Sequence, residues 1–245
     1  MGLMQYRANF LLQFGVGLSS AVGVLLPMVF VWQTNPVIGG FTLREAMLVS
    51  AFFLLLGGIL GTVVEPNLGA TVDAVRTGTF DHILLKPVDA QLLCSVRQVD
   101  PSRLWEVVTG VLVGGWALAG LPPPTPAQIL AATLMFGSGM AAMYGLWVVV
   151  ISLSFWFVRV DNLRFLLGAV VDTGRWPVTI YRGWLRTTVT VLVPVALVTS
   201  YPAMALLGRL ELQAALGAVA VGLGALLVSR GVWRAALRHY SSASS

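Results

Sequence analysis

Charge is scarce in this sequence: only 10% of its 245 residues are Asp, Glu, Lys or Arg, where a soluble domain carries about 25%. A water-exposed globular fold is therefore excluded. Cysteine occurs once, at Cys94, which rules out an internal disulfide and any cysteine metal cluster and leaves a small, inert, reduced side chain. Lysine also occurs once, at Lys86 before Pro87, so there is no Gly-x-x-x-x-Gly-Lys-Ser/Thr loop and no ATP binding by that route. The two histidines, His82 and His239, are far apart and form no His-Glu-x-x-His pattern. A metal site or a Ser-His hydrolase site lacks its residues.

What fills the chain is apolar: 57% hydrophobic residues and a mean hydropathy of +0.86. A hydrocarbon core of about 30 Å needs about 20 apolar residues per helix. Runs of that length recur without the alternation of a barrel strand. The expected fold is all-α, a polytopic membrane protein with six transmembrane helices at residues 10–32, 46–64, 104–121, 129–157, 165–180 and 212–228, forming one permease-like domain over 1–245. The first run, Phe10 to Trp32, is too long for a signal-peptide core and reads as a retained span. Asn35-Pro36 and Gly39-Gly40 give the first loop its turn residues, Glu65-Pro66-Asn67 are expected to stop the second helix, and the prolines from Pro122 to Pro126 make a stiff turn.

Positive charge orients these spans. Fourteen arginines and Lys86 against ten acids give +5, an excess that in a membrane protein marks cytoplasmic loops and not nucleic-acid binding. Two layouts compete for residues 165–207. Either 165–180 is a short fifth span followed by a proline-broken hairpin, 182–207, dipping in from outside; or 165–186 lies on the inner surface and 187–207 is the span. Both place the termini inside together with ten of the fifteen positive residues: Arg7, Arg76, Lys86, Arg97, Arg103, Arg159, Arg164, Arg230, Arg234 and Arg238. The second layout adds Arg175, Arg182 and Arg186, so charge alone favours it.

Few ionisable residues fall within the spans: Glu106 one turn into the third, and Asp172 with Arg175 at i, i+3 spacing. They are either interfacial residues that pair for structure or parts of a proton relay. Small residues four apart, Gly57 with Gly61 and Gly110 with Gly114, suit close helix packing and only weakly mark a dimer face.

The polar stretch between the second and third spans, Arg76-Thr-Gly78-Thr-Phe80-Asp81-His-Ile83-Leu84-Leu85-Lys86-Pro87-Val88, resembles the pattern Arg-x-Gly-x-Leu/Phe-Asp-x-x-Leu-Leu-x-Pro-Val of type-2 ATP-binding-cassette (ABC) exporter permeases. A second stretch, with Pro177, Tyr181, Arg186, Pro194, Tyr201 and Pro202, is similar to that group's proline-tyrosine region after the fifth helix. The spacing between the two stretches and the six-span layout agree with that group, so the resemblance covers nearly the whole chain.

The resemblance implies a cytoplasmic coupling element within residues 65–103 that docks on a separate ATPase subunit. Phe80, Ile83, Leu84 and Leu85 would fill a cleft on the partner, with Arg76, Asp81 and Lys86 at its rim and Gly78 and Pro87 shaping the turn. It also implies a re-entrant hairpin on the outer side, and so favours the first layout. The expected protein is a non-enzymatic permease of the bacterial inner membrane, pairing with itself or a sibling permease and exporting an amphipathic, drug-like or lipid-like compound. The chain itself needs no cofactor, and ATP with magnesium belongs to the partner. An ion-coupled secondary transporter and a membrane scaffold are the alternatives; a surface helix at the lipid headgroups is the alternative for the polar stretch.

Overall fold

The first apolar run forms helix α1 (Gly2–Thr34) in the computed structural model, which describes residues 2–156 and 167–240 and, within α1, no side chain of residues 2–14, 16, 18 or 20. A two-strand hairpin follows, β1 (Val37–Ile38) and β2 (Phe41–Thr42), with Val37 opposite Thr42. Its two-residue turn is Gly39-Gly40, at φ +60 and +82, values that a primed hairpin turn requires and glycine adopts without strain. The Trp32 indole donates to the Phe41 carbonyl at 2.8 Å, fixing the hairpin on α1.

Helix α2 (Leu43–Arg76) starts from a capping box in which Thr42 and Glu45 satisfy each other's backbone amides. Contrary to the expectation that Glu65-Pro66-Asn67 end the second span, the helix runs on to Arg76. A π turn at Leu60–Val64 shifts the hydrogen-bond register immediately before Pro66. The carbonyl that proline leaves unpaired finds a partner elsewhere, since the Asp100 amide donates to the Thr62 carbonyl at 2.9 Å; beside it the Asn67 side-chain amide donates to the Val63 carbonyl at 2.6 Å.

Two short helices, α3 (Asp81–Leu84) and α4 (Ala90–Val96), lead into α5 (Leu104–Leu118). Helix α6 (Pro126–Ser152) has Pro126 as its first residue, behind a second capping box at Thr125 and Gln128, so the proline run ends by starting a helix. Phe157, where the fourth span was expected to end, and the loop residues Arg159, Asp161 and Arg164 lie outside the described residues.

The expected fifth span, 165–180, is not one helix over its described part. Residues 167–171 are helical, then the chain tightens into 3-10 turns at Asp172–Arg175 and Val178–Ile180. Trp176 between them is extended (φ −100, ψ 145), the conformation forced on a residue before proline, here Pro177. Helix α7 (Gly183–Leu192) and helix α8 (Val195–Leu206) meet at 94° across Val193-Pro194. Pro194 is therefore the breaking proline, whereas Pro202 sits buried inside a continuous α8. Helix α9 (Leu212–His239) closes the fold.

Contacts sort these elements by end. Call the end carrying β1–β2 the hairpin end; it also holds the α5–α6 connection, since Arg44 lies 5.1 Å from the centre of the Trp116 ring, and the α8–α9 connection, since Arg209 bonds Glu45 at 2.6 Å. The opposite end carries α3 and α4. Both limbs of the α7–α8 segment return to the hairpin end: the Thr179 hydroxyl donates to the Gly39 carbonyl at 2.6 Å and Arg209 donates to the Gly40 carbonyl at 3.0 Å. The bend at Pro194 lies beside Ala142, Gly145 and Val149, deep along α6.

Among the described residues, α2, α6 with its 3-10 extension to Phe155, and α9 are long and apolar enough to cross a membrane, and the bent pair brings the number to four if it counts as one span. Rows of large apolar side chains stay exposed, including Val111 (60%), Leu112 (67%), Leu223 (59%) and Leu227 (75%). Water would penalise such rows, and lipid tails do not. This is a multi-pass, all-α membrane protein.

The glycine pairs of α2 and α5 are used inside the chain, not on an outer face. A Cβ at Gly110 would meet the Ala51 carbonyl at 2.9 Å and the Leu55 amide at 3.1 Å. At Gly57 it would meet the Glu106 carboxylate at 2.6 Å, and at Gly61 the Arg103 side chain at 2.8 Å. The spacing thus seats α5 and its first charged pair on α2.

Candidate functional site

The polar stretch starts where α2 ends. Gly78, at φ +73, turns the chain after Arg76 and Thr77, as a residue just past a helix C-terminus commonly does. That turn drives Phe80 back into the bundle, where it is fully buried (0% exposed). Its ring meets Phe155 at 5.3 Å, Tyr240 at 5.3 Å and Trp233 at 6.3 Å, all edge-on. Aromatic pairs favour this geometry over face-to-face stacking. Ile83 is buried beside it with Cys94, and burial pushes the Cys94 thiol pKa up, which keeps it protonated and inert.

Phe80 and Ile83, expected to fill a cleft on a partner, are buried and pack with Val148 of α6 and Trp233 of α9 of their own chain. The exposed part is the tip: Leu84 (43%), Leu85 (80%) and Val88 (53%), with Lys86 and Pro87 also exposed. Arg76 is exposed and pairs with Asp73 at 3.3 Å, and Asp81 opens α3.

Behind the tip, α4 is bonded to two long helices. Asp89 caps it by accepting from the Leu92 amide at 3.1 Å and also takes both guanidinium nitrogens of Arg230 on α9. The Arg230 contact is the main reason the Asp89 carboxyl lies below the usual carboxylate range. One turn apart on α4, Gln91 and Ser95 both reach the Tyr144 hydroxyl of α6, at 3.4 and 2.6 Å, and Arg230 donates to Gln91 at 3.0 Å. Farther on, Asn67 of α2 exchanges two bonds with Gln98, each at 2.6 Å. The segment is therefore tied to α2, α6 and α9 at separate points.

Sequence reasoning missed Asn67, Asp89, Gln91, Tyr144 and Arg230. Asp89 had a usable signal, an aspartate opening a short helix with free amides at its start. The others had none, because they are assembled from distant parts of the chain.

The proline-tyrosine stretch is drawn together around one apolar cluster. Tyr181 and Tyr201 pack against Val178, Val189 and Val195, the Tyr181 hydroxyl donates to the Thr173 carbonyl at 2.8 Å, and the Ser200 hydroxyl accepts from the Val178 amide at 3.0 Å. Pro177 is buried, Arg186 is exposed on α7, and Pro194 forms the bend.

Glu106 and the Asp172–Arg175 pair, which are far apart in sequence, line one cavity of about 320 Å3. Arg103 pairs with Glu106 at 2.7 Å and Arg175 with Asp172 at 3.5 Å, while the Arg175 guanidinium lies 5.8 Å from the centre of the Phe53 ring. Phe53 is about 15 Å along α2 from its first residue, at 1.5 Å per residue. Among the described residues no three His, Cys, Asp or Glu side chains gather to hold a metal.

No curated protein and no solved structure matches the chain significantly. A family model described as ABC-2 family transporter protein matches residues 18–244, both polar stretches and the charged cavity included. With that match over nearly its whole length, the chain belongs to the ABC-2 family of transporter proteins.

Proposed function

We propose that this chain is the permease subunit of an ATP-driven exporter, with six spans, both termini cytoplasmic and the α3–α4 end facing the cytoplasm of a bacterial inner membrane. A separate ABC ATPase, which supplies the ATP and magnesium sites, docks on the tip formed by Leu84, Leu85, Lys86, Pro87 and Val88. The observation that carries this reading is the contrast between an exposed apolar tip and the fully buried Phe80 beneath it. Such a tip transmits a push because it cannot yield independently of α6 and α9. Its shape also fits partner recognition, a small apolar knob rimmed by Arg76 and Lys86.

The α7–α8 segment is read as a hairpin re-entering from the outer side, supported by the return of both its limbs to Gly39 and Gly40. Non-helical backbone at the depth of Pro194 is tolerated where protein covers it, and Val193 and Pro194 are buried. Two permeases, identical or sibling, with two ATPases would form the exporter, and its cargo is an amphipathic, drug-like or lipid-like compound.

Mild-detergent extraction of the tagged chain tests this. An ATPase subunit should co-purify with the wild type and be lost with Leu85→Asp plus Val88→Asp, two changes at exposed positions that leave the fold intact. Undiminished association would remove the tip from the interface, and absence of any ATPase from the wild-type complex would overturn the exporter reading.

A further inference from the structure

Helix α4 is amphipathic in reverse. Its polar residues Gln91 and Ser95 are buried and bonded to Tyr144 of α6. Leu92 (57%) and Val96 (59%), one turn apart, are exposed, and Val99 (63%) continues the apolar row just beyond the helix. A helix lying against water shows the opposite pattern. The bonds from Gln91 to Arg230 of α9 and from Asn67 of α2 to Gln98 hold the segment in this orientation, so the row stays outward.

Its level along the bundle points to what covers the row. Helices α6 and α9 both start at the hairpin end, and Tyr144 and Arg230 each lie eighteen residues past the first residue of their helix, about 27 Å along at 1.5 Å per residue. That is close to the roughly 30 Å of a hydrocarbon core. Phe80, at the root of the tip, packs instead on Phe155, which lies about 16 Å beyond Tyr144 along the same helix. The tip therefore stands clear of the apolar layer, and α4 crosses the bundle where the spans leave it. Charge agrees with that placement: Arg97 is exposed at the end of α4 and, like Lys86, Arg234 and Arg238 at the same end of the bundle, makes no ion pair among the described residues.

We propose that the outer face of α4 is a membrane-surface anchor for anionic phospholipid. Leu92, Val96 and Val99 sink among the lipid chains just beneath the headgroups, as the apolar face of an interfacial helix does. Arg97 lays its stem along that surface and brings its guanidinium to a lipid phosphate. The face thus has a partner of its own, separate from the tip that follows Phe80. The proposal rests on the spans crossing a bilayer and not on the docking of an ATPase, so its failure would leave that association untouched.

The test places a bimane probe at Val96→Cys in the full-length permease, reconstituted in phosphatidylcholine vesicles with iodide on both sides or with a doxyl quencher on the lipid chains near the headgroup. Cys94, buried at 3% exposure, stays unlabelled. The doxyl chains should quench most of the fluorescence and iodide little of it, while a probe at Leu85→Cys, on the tip, should show the reverse. Leu92→Cys repeats the reading at a second exposed position. At equal bulk fraction, doxyl phosphatidylglycerol should gather around the Val96→Cys probe about fivefold more than doxyl phosphatidylcholine, the scale of one arginine at an anionic surface, and Arg97→Gln should remove that excess. Quenching by iodide would put the row in water, protection from both quenchers would give it to a protein partner or a second copy, and equal gathering of the two lipids would separate Arg97 from the phosphate. Each of these results would overturn the proposal.

Discussion

The Asp100 amide donates to the Thr62 carbonyl at 2.9 Å, the carbonyl that Pro66 deprives of its partner four residues on. A loop returning from the α3–α4 end thus completes the helix that sent it out. The π turn, Pro66 and Asn67 form a joint between the membrane part of α2 and its extension to Arg76, and the chain after α4 is bonded into that joint.

Asn67→Leu should loosen it. The variant loses the bonds to Val63 and Gln98 at about 1 kcal/mol each, so a destabilisation of about 2–3 kcal/mol is expected in thermal unfolding. Hydrogen exchange should quicken at Gln98 and Asp100 and stay unchanged in the middle of α6. Unaltered exchange at Gln98 would show that the joint is held by other contacts.

Phe80 and Leu85 should behave oppositely. Phe80→Ala empties the centre of an aromatic cluster and is expected to cost about 3–5 kcal/mol. Leu85→Ala, at an 80% exposed position, should change stability by less than about 0.5 kcal/mol while weakening ATPase association. Melting temperature and co-purification separate the two outcomes.

Gly110→Ala should cost about 1–3 kcal/mol, because its new methyl group meets backbone of α2 and the helices must part. Gly115→Ala, where nothing lies within 4 Å, should be neutral in the same unfolding assay. Equal behaviour of the two would contradict the seating of α5 on α2.

The Asp89–Arg230 clamp sets an acid limit. The folded carboxyl has its pKa lowered, so its contribution is complete above the unfolded value and is lost as pH falls through the lower folded value. Neutral and mildly acidic conditions should leave α4 in place, and stronger acid should release it. Asp89→Asn should remove this step from the pH dependence of hydrogen exchange in α4, and persistence of the step would assign it to another group.

The helical membrane architecture was legible because it rests on composition and run length, which need no tertiary information. Boundaries were less so. Pro66 read as a helix stop, since the Asp100 amide that rescues Thr62 lies in a distant segment. Pro194 and Pro202 looked equivalent in sequence, and only the packing of α8 against α6 distinguishes the bend from the buried interior position. In the polar stretch, the pattern located the turn but not which side chains face outward. Gly78 decides that by turning Phe80 inward, leaving the tip to Leu84 through Val88. The charged cavity brought Glu106 together with the Asp172–Arg175 pair, a meeting that their separation in sequence conceals.

Cross-linking is the sharpest test of whether the tip meets an ATPase. Cys94 is buried at 3% exposure, so a new surface thiol reports without interference from it. Leu85→Cys, treated with a short thiol-reactive cross-linker in native membranes, should give a covalent permease–ATPase product. Arg182→Cys, on the other side, should give none and should be labelled from outside intact cells. Failure of Leu85→Cys to cross-link, or an ATPase product from Arg182→Cys, would contradict the account.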